Sequence, residues 1–243
     1  MDVRLRRETL ADQVAQHLVE FIAEQRLPPY AALPSEAALT QEFKVSRPVV
    51  REALRSLAAR GIIEISNGKG ARVKPITGDL MREYFDCAVR FNHASLIELM
   101  EVRRGIEIQC ALLAAQRRTP EDVAELERVI AAMRDHLHDP EAYTALDVEL
   151  HLRIASASGN TLLYHLVESI REPLRDTIRE GLRRRGSITQ YERVQELHER
   201  LIAALGKGDP QEAARAMALH FDEAVMALVQ DEGGVHIYQA EGL

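Results

Sequence analysis

Residues 33–70 read LPSEAALTQEFKVSRPVVREALRSLAARGIIEISNGKG, and this stretch decides the fold of the first part of the chain. Ser35 follows a proline and is a favourable N-cap for a short helix. Ser46 has the same role for a second helix, which Gly61 ends. Two short helices joined by a tight turn are typical of a helix-turn-helix, and residues 10–22 add an amphipathic helix in front of it.

A β-hairpin follows these helices. Residues 62–65 and 71–73 have the apolar, β-branched character of short strands, and the Asn67-Gly68 pair between them favours a type I′ turn. Three helices and a hairpin make a winged helix-turn-helix, a DNA-binding module. Its small tip suits a narrow minor groove, and Lys69 carries positive charge towards phosphate.

Two arginines occupy the start of the third helix. Arg47 and Arg51 are four residues apart and therefore share one helix face. A recognition helix presents this face to the major groove, where an arginine fork pairs with guanine. The alternative is two solvated arginines, with Arg51 paired to Glu52 or a neighbouring acidic residue. The surrounding helix-turn-helix and wing favour DNA contact.

Composition and charge agree with a mostly helical, two-domain protein. The 243 residues are 46% hydrophobic, contain no tryptophan and have two cysteines, which form no redox or zinc motif. No apolar run approaches the roughly 20 residues that cross a bilayer, and no signal peptide precedes the first helix. We therefore expect no membrane partner and a cytoplasmic location.

Charge is divided unevenly along the chain. Residues 1–75 carry 12 lysines and arginines against 9 acidic residues, whereas the rest of the chain carries 19 against 29. This asymmetry favours a modestly basic DNA-binding domain over residues 8–75, joined to an acidic second domain. Residues 76–79 are the expected linker, and residues 80–232 contain six or seven helical segments, which predict an antiparallel helical bundle.

Four polar residues interrupt the apolar stripes of these helices: Asp147, His151, His198 and His220. Asp147 and His151 are four residues apart and share a helix face. If the two helices flanking Gly208 pack antiparallel, His198 and His220 come nearly level. Because an unpaired buried polar group is costly, a shared metal ion is an economical explanation for four of them.

The ligand set does not select one ion. One carboxylate and three imidazoles suit zinc, which is our first choice, and also nickel, iron or manganese. The alternative for each histidine is a hydrogen-bonded core residue, and Asp147 has the further alternative of pairing with an arginine. The coincidence of all four positions favours a metal site.

The N-terminal motifs occur in a characteristic order and spacing. They are Leu33-Pro34-Ser35-Glu36, Val45-Ser46-Arg47, Val50-Arg51-Glu52-Ala53-Leu54, Leu57, Gly61-Ile62-Ile63 and Gly68-Lys69-Gly70. Over residues 10–75 the chain resembles the GntR-type winged helix. The resemblance implies that Arg47 and Arg51 contact DNA and that Ser35 contacts a backbone phosphate. It also implies that Asn67 and Gly68 enter the minor groove.

Two positions depart from that pattern. Ala37 stands where family members often carry an arginine that also touches DNA, so the resemblance does not fix the operator preference. The segment Pro29-Tyr30-Ala31-Ala32 lacks the glycine usually found before Leu-Pro, which we expect to change the loop geometry.

The second domain resembles the FadR-type (FCD) ligand-binding domain that commonly follows such a winged helix. The motifs that carry this resemblance are Glu101-x-Arg103-x-x-x-Glu107, Asp147-x-x-x-His151, Ser158-Gly159-Asn160, His198 and His220. In metal-binding members, one aspartate and three histidines at these positions ligate the ion. The family's effectors are often small carboxylates or sugar acids, and an arginine at the position of Arg103 helps to hold them. We take Asn160 as a second effector-binding residue. The alternative role of Asn160 is a helix N-cap, and the alternative role of Arg103 is an ion pair with Glu107.

These features predict a homodimeric, metal-containing transcription regulator of a pseudo-palindromic DNA operator, and most often such a protein is a repressor. The sequence leaves the sign of regulation, the effector and the metal open. One alternative is that the metal is itself the signal or is purely structural. A more remote one is a metalloenzyme fused to a DNA anchor. Glu149 argues against catalysis, because it points away from Asp147 and His151 on their own helix.

Overall fold

The computed structural model describes residues 8–66, 70–91, 95–171 and 188–231. The described chain is mainly helical, with one small antiparallel hairpin, and it divides into two compact units, Met1–Leu80 and Met81–Leu243. Each unit has its own apolar core. No helix within the described ranges has the length and apolar character needed to cross a membrane.

The first unit begins with three helices, α1 (Leu10–Glu24), α2 (Glu36–Phe43) and α3 (Arg47–Ala59). Ser35 caps α2 by accepting a hydrogen bond from the backbone N–H of Ala38 at 3.2 Å, whereas Ser46 occupies the N-cap of α3 without a side-chain hydrogen bond. The chain turns between α2 and α3 at Lys44, which adopts a left-handed φ of 53°. This is the predicted helix-turn-helix.

Two strands complete the first unit, β1 (Ile63–Ser66) and β2 (Gly70–Val73). They pair antiparallel, with Ile63 opposite Val73 and Ser66 opposite Gly70. The other edge of β2 is also bonded: Val73 accepts from the backbone N–H of Tyr30 at 2.8 Å, and Ala71 accepts from that of Leu33 at 2.9 Å. The segment before α2 is thus held against the hairpin.

That segment includes the region in which the family's usual glycine is missing. Tyr30 takes a φ of 67°, a conformation that residues other than glycine and asparagine rarely adopt. The guanidinium of Arg72 donates to the Tyr30 carbonyl at 2.9 Å, which helps to hold this strained turn. The missing glycine therefore leaves a left-handed tyrosine in the loop.

The second unit is a helical bundle. Its helices are α4 (Asp79–Arg90), α5 (Leu96–Arg117), α6 (Pro120–Asp135), α7 (Pro140–Ala157), α8 (described over 161–171), α9 (Ile188–Lys207) and α10 (Pro210–Asp231). Helix α5 packs against α7 and α10, α10 packs against α9, and α6 packs against α7 and α9. The candidate site lies among α5, α7, α8, α9 and α10.

Candidate metal centre and DNA-binding surface

Helix α7 supplies the first two residues of the site. The carboxylate of Asp139 fixes the start of α7 by accepting from the backbone N–H groups of Glu141 and Ala142, both at 3.1 Å. Two turns further on, Asp147 and His151 lie on the inner face, 7% and 1% exposed. Their spacing of four brings Nε2 of His151 to 3.7 Å from Oδ1 of Asp147.

The other two residues come from helices α9 and α10, which are joined by a short turn at Gly208. His198 is fully buried and His220 is 7% exposed. Their ring centroids are 4.3 Å apart, and the His220 ring is 5.0 Å from that of His151. The structure therefore brings together all four residues that the sequence proposed as metal ligands.

The four side chains converge on one small volume. One ligand atom from each residue lies within 4.8 Å of the others, close to about twice the 2.0–2.2 Å length of a zinc bond to nitrogen or oxygen. Within the described part of the chain, three buried nitrogens here have no hydrogen-bond partner: Nε2 of His151, Nε2 of His198 and Nδ1 of His220. Buried polar atoms are normally satisfied, so three orphaned nitrogens in one cluster need an explanation.

Neighbouring side chains orient two of the imidazoles. Nδ1 of His151 donates to the carboxylate of Glu107 on α5, which leaves Nε2 as its lone-pair nitrogen. The hydroxyl of Tyr143 lies 3.4 Å from Nδ1 of His198 and donates to the amide oxygen of Gln195 at 3.2 Å. If that hydroxyl accepts from Nδ1 of His198, Nε2 is bare and lies 3.2 Å from Oδ1 of Asp147. A bare nitrogen facing a carboxylate oxygen is favourable only with a cation between them.

Burial keeps two of the imidazoles neutral. It lowers the pKa of His151 to about 4, helped by the positive charge of Arg171. Burial also holds the pKa of His220 well below its ordinary value, with further lowering from His198 and His151. A neutral imidazole has the free lone pair that a metal requires.

Two buried arginines balance the acidic groups of the cluster. Burial alone would raise the pKa of Asp147, but Arg171 and the histidines hold it well below its usual range. Arg171 donates through Nη1 to Oδ2 and to the backbone carbonyl of Asp147, both at 3.1 Å. Glu107 is likewise held ionised, with a lowered pKa, chiefly by Arg103 and His151.

These observations fit a divalent metal. Asp147, His151, His198 and His220 would hold the ion, and Glu107 has the position of the outer carboxylate that commonly orients a metal-bound histidine. The lone pairs have no other partner, the carboxylate is ionised, and the donor set is one that zinc and its neighbours accept.

Arg103 and Asn160, the two expected effector-binding residues, already have internal partners. Nε of Arg103 donates to Oε1 of Glu107 at 2.9 Å, and its guanidinium lies 5.1 Å from the centre of the Phe221 ring. The side-chain oxygen of Asn160 accepts from the backbone N–H groups of Leu162 and Leu163, so it caps α8. Arg103 belongs to the buried cluster through Glu107, and Asn160 is partly buried at the start of α8.

The DNA-binding candidates of α2 and α3 lie on the surface of the first unit. Ser35, Arg47 and Arg51 are exposed. Nε of Arg51 donates to Oε2 of Glu36 at 2.9 Å, an acidic partner on α2 rather than the neighbouring Glu52. Asn67, Gly68 and Lys69, the candidates at the hairpin tip, lie outside the described residues.

Sequence reasoning missed Arg171. This arginine is completely buried on α8 and touches both Asp147 and Glu107. It follows the buried Val167 by four residues, so it interrupts an apolar helix face as the histidines do. The same signal would have identified it.

A winged helix-turn-helix and a helical domain with a buried Asp/His cluster define a class of bacterial transcription regulators. Residues 10–73 match the family described as bacterial regulatory proteins, gntR family, and residues 98–223 match the FCD domain. The chain belongs to the GntR family, in the group with an FCD domain. It is a ligand-responsive transcription regulator of the GntR/FCD type, and regulators of this family bind DNA operators.

Individual relatives agree with this assignment. The chain is 33% identical to the HTH-type transcriptional regulator LutR of Bacillus subtilis, over 82% of this chain and 92% of LutR. It is 29% identical to the HTH-type transcriptional repressor NanR of Cronobacter sakazakii, over 90% and 85%. Among solved structures, a Streptococcus agalactiae GntR protein matches with a TM-score of 0.68 at 28% identity, over 89% of this chain and 99% of that one.

These relatives are transcription regulators and not enzymes. The position of Glu149 agrees with that assignment. Its carboxylate accepts from Arg153 at 2.8 Å and from Arg128 at 2.9 Å. Both arginines are outside the buried cluster, so Glu149 is engaged away from the candidate ligands. The metalloenzyme alternative is therefore set aside.

Proposed function

We propose that this regulator carries a divalent transition metal, with zinc as the first choice, on Asp147, His151, His198 and His220. The observation that carries the proposal is the convergence of three orphaned, buried imidazole nitrogens on an ionised carboxylate. Nickel, iron and manganese accept the same donors and are distinguished by elemental analysis.

The effector that we propose is a small carboxylate or a sugar acid. A bound divalent ion offers a Lewis-acid coordination position to a carboxylate oxygen. Around that position, Glu107 fixes the His151 ring and Arg103 fixes Glu107. In this proposal Arg103 and Asn160 contribute to effector binding, Arg103 from within the cluster and Asn160 from the start of α8.

DNA binding is proposed for the winged helix over residues 8–75, linked through 76–79 to the helical domain over 80–232. Arg47 and Arg51 would read bases in the major groove, and Ser35 would contact a phosphate. Asn67, Gly68 and Lys69 would lie at the minor groove. A homodimer would place two such modules on a pseudo-palindromic operator.

Because NanR relatives are repressors, we propose that this chain also represses and that effector binding releases it from DNA. Release requires that the effector binds one arrangement of the dimer better than the other.

Elemental analysis combined with DNA binding tests the proposal. Purified wild-type protein is expected to hold about one transition metal per chain, and Asp147→Ala and His220→Ala to lose it. An operator selected from random duplex DNA is expected to be pseudo-palindromic and to be released by a small carboxylate. A metal-free wild type that also takes up no metal on titration would rule out the proposed metal site. The same result would leave the DNA-binding assignment in place.

In a second candidate function, the chain is still a transcription regulator, but the metal ion is itself the signal or has a purely structural role. The structural form of this candidate is favoured by the deep burial of His151 and His198, which would slow exchange of a bound ion. DNA affinity measured at buffered free zinc distinguishes the candidates. A response to zinc without any organic ligand supports metal sensing, and a response only to a carboxylate supports the first proposal.

A further inference from the structure

Arg171 has two buried side-chain nitrogens that lack an acceptor within the described ranges. Arg171 is fully buried, and Nε and Nη2 have no hydrogen-bond acceptor among the described residues. Nε lies 3.5 Å from Oε1 of Glu107, an ion-pair distance without hydrogen-bond geometry. Only Nη1 is engaged, by the two oxygens of Asp147. A buried guanidinium with two unsatisfied nitrogens is a costly arrangement unless an acceptor can enter.

Arg103 differs in this respect. Its Nε is saturated by Glu107 at 2.9 Å, its Nη1 contacts the sulfur of Met100 at 3.4 Å, and its face lies against the Phe221 ring. None of its nitrogens is among the buried atoms without a partner. Nε and Nη1 of Arg103 are therefore engaged, whereas Arg171 has two buried nitrogens without a partner in the described chain.

The position of Arg171 places those donors beside the proposed metal ligands. Its Nη1 is bonded to Oδ2 of Asp147, and the other oxygen of that carboxylate is 3.2 Å from Nε2 of His198. A ligand oxygen near Asp147 is thus within reach of both the histidine cluster and the guanidinium. The Asp147 side chain is 10% exposed, more than that of His151 or His198, so the site meets solvent on this side.

The charge balance also favours an anion. The buried charged residues of the described chain are Arg103, Arg171, Glu107 and Asp147, two of each sign. These four charges cancel, and a divalent ion held by the histidines through their lone pairs would add two enclosed positive charges. Enclosed charge is costly unless it is compensated, and a carboxylate ligand supplies negative charge where it is needed.

We infer that Arg171 is the effector-binding arginine, and that its Nε and Nη2 take the carboxylate of the small-acid ligand beside the Asp/His cluster. This inference rests on the proposed function for the existence of a carboxylate effector. It goes beyond that proposal in assigning the carboxylate to Arg171, a residue that none of the motifs in the sequence included.

Lysine substitution at Arg171 tests the inference. Arg171→Lys keeps a positive charge near Asp147 but removes the planar pair of donors. Arg128→Lys, at an exposed arginine on α6, is the matched control. The full-length proteins are loaded with zinc, their zinc content is measured, and glycolate, citrate and D-gluconate are titrated by calorimetry. Glycolamide is the neutral analogue of glycolate.

At least one acid is expected to bind the wild type, while glycolamide does not. Arg171→Lys is expected to retain zinc and to bind that acid at least about tenfold more weakly, because a charged hydrogen bond is lost. Arg128→Lys is expected to stay within about threefold, because its side chain contacts Glu125 and Glu149 rather than the cluster. Equal affinity in Arg171→Lys and wild type, or an equal loss in Arg171→Lys and Arg128→Lys, would overturn the inference and leave the metal and effector proposals standing.

Two further outcomes separate failure of the inference from failure of the proposed function. Wild-type protein that holds zinc but binds none of the acids overturns both the effector proposal and the role of Arg171. Should Arg171→Lys fail to fold, a crystal structure of the wild type grown with zinc and the acids decides. A carboxylate on Nε and Nη2 of Arg171 supports the inference, and a carboxylate bound elsewhere overturns it.

Discussion

Glu107 on α5 accepts a hydrogen bond from Nδ1 of His151 on α7, and this single contact fixes which nitrogen of the imidazole faces the cluster. Glu107 is held in turn by Arg103 and is near Arg171. One of the four proposed ligands, His151, therefore depends on a further residue that bonds to none of the orphaned nitrogens.

Replacement of Glu107 by glutamine is expected to lower zinc affinity by about 10–100-fold while leaving the four ligands in place, because outer carboxylates of metal-bound histidines have effects of this size. Competition with a zinc chelator measures the change. Glu127→Gln, at an exposed position on α6, is the control. Unchanged affinity in Glu107→Gln would show that the His151 ring is oriented without this carboxylate.

His198→Ala is expected to lose bound metal and thermal stability together. With free zinc about 100-fold above its dissociation constant, the wild type gains about 2.7 kcal/mol from binding, and the variant gains none of this. Melting curves with and without zinc, beside elemental analysis, provide the measurement. His138→Ala, at an exposed position just before α7, should retain both the metal and the zinc-dependent rise in melting temperature. Full metal content in His198→Ala would place the ion elsewhere.

Arg47→Ala is expected to lose sequence-specific DNA binding, since a good arginine–guanine pair contributes about 1–3 kcal/mol of discrimination. Binding to the selected operator and to scrambled DNA is compared at one salt concentration, because phosphate contacts depend strongly on salt. Arg60→Ala changes an exposed arginine at the other end of α3 and should keep the discrimination. If Arg47→Ala discriminates as well as the wild type, Arg47 is not a base-reading residue.

Lys44→Gly is expected to stabilise the first unit by about 0.5–1 kcal/mol. Lys44 ends α2 with a φ of 53° and a ψ of 39°, a conformation that glycine adopts without steric cost. Chemical denaturation of the full chain measures the effect. Lys44→Ala shortens the side chain but retains a Cβ, so it should give no such gain. Equal effects of both substitutions would assign the change to the lysine side chain rather than to the backbone.

Most of the fold could be predicted from the sequence because its signals are local. Thr119-Pro120 and Asp139-Pro140 mark the starts of α6 and α7, where Thr119 and Asp139 are N-caps in the structure. Gly61 ends α3 with a positive φ of 70°. Caps, turns and apolar periodicity depend on neighbouring residues, and they can therefore be recognised without knowledge of the tertiary structure.

The contacts between distant segments could not be predicted in the same way. The pairing of residues 30–33 with β2 joins segments separated by about 40 positions, and the Arg51–Glu36 pair depends on how α2 meets α3. In the candidate site, spacing within α7 and across the α9–α10 turn was enough to propose all four ligands. The contacts of Arg171 with Asp147 and Glu107, and the role of Glu107, depend on how α5 and α8 pack against α7, which spacing along the chain does not encode.

The distribution of the four ligands along the chain has a consequence for biosynthesis. Asp147 and His151 leave the ribosome well before His198, and His220 follows only with α10. A nascent chain that stops before α10 lacks one of the four proposed donors, so metal capture by the complete set, if the proposal holds, follows synthesis of α10. Metal uptake would then report that the helical domain has finished folding, and a regulator truncated before α10 would differ from the full-length protein in its metal content.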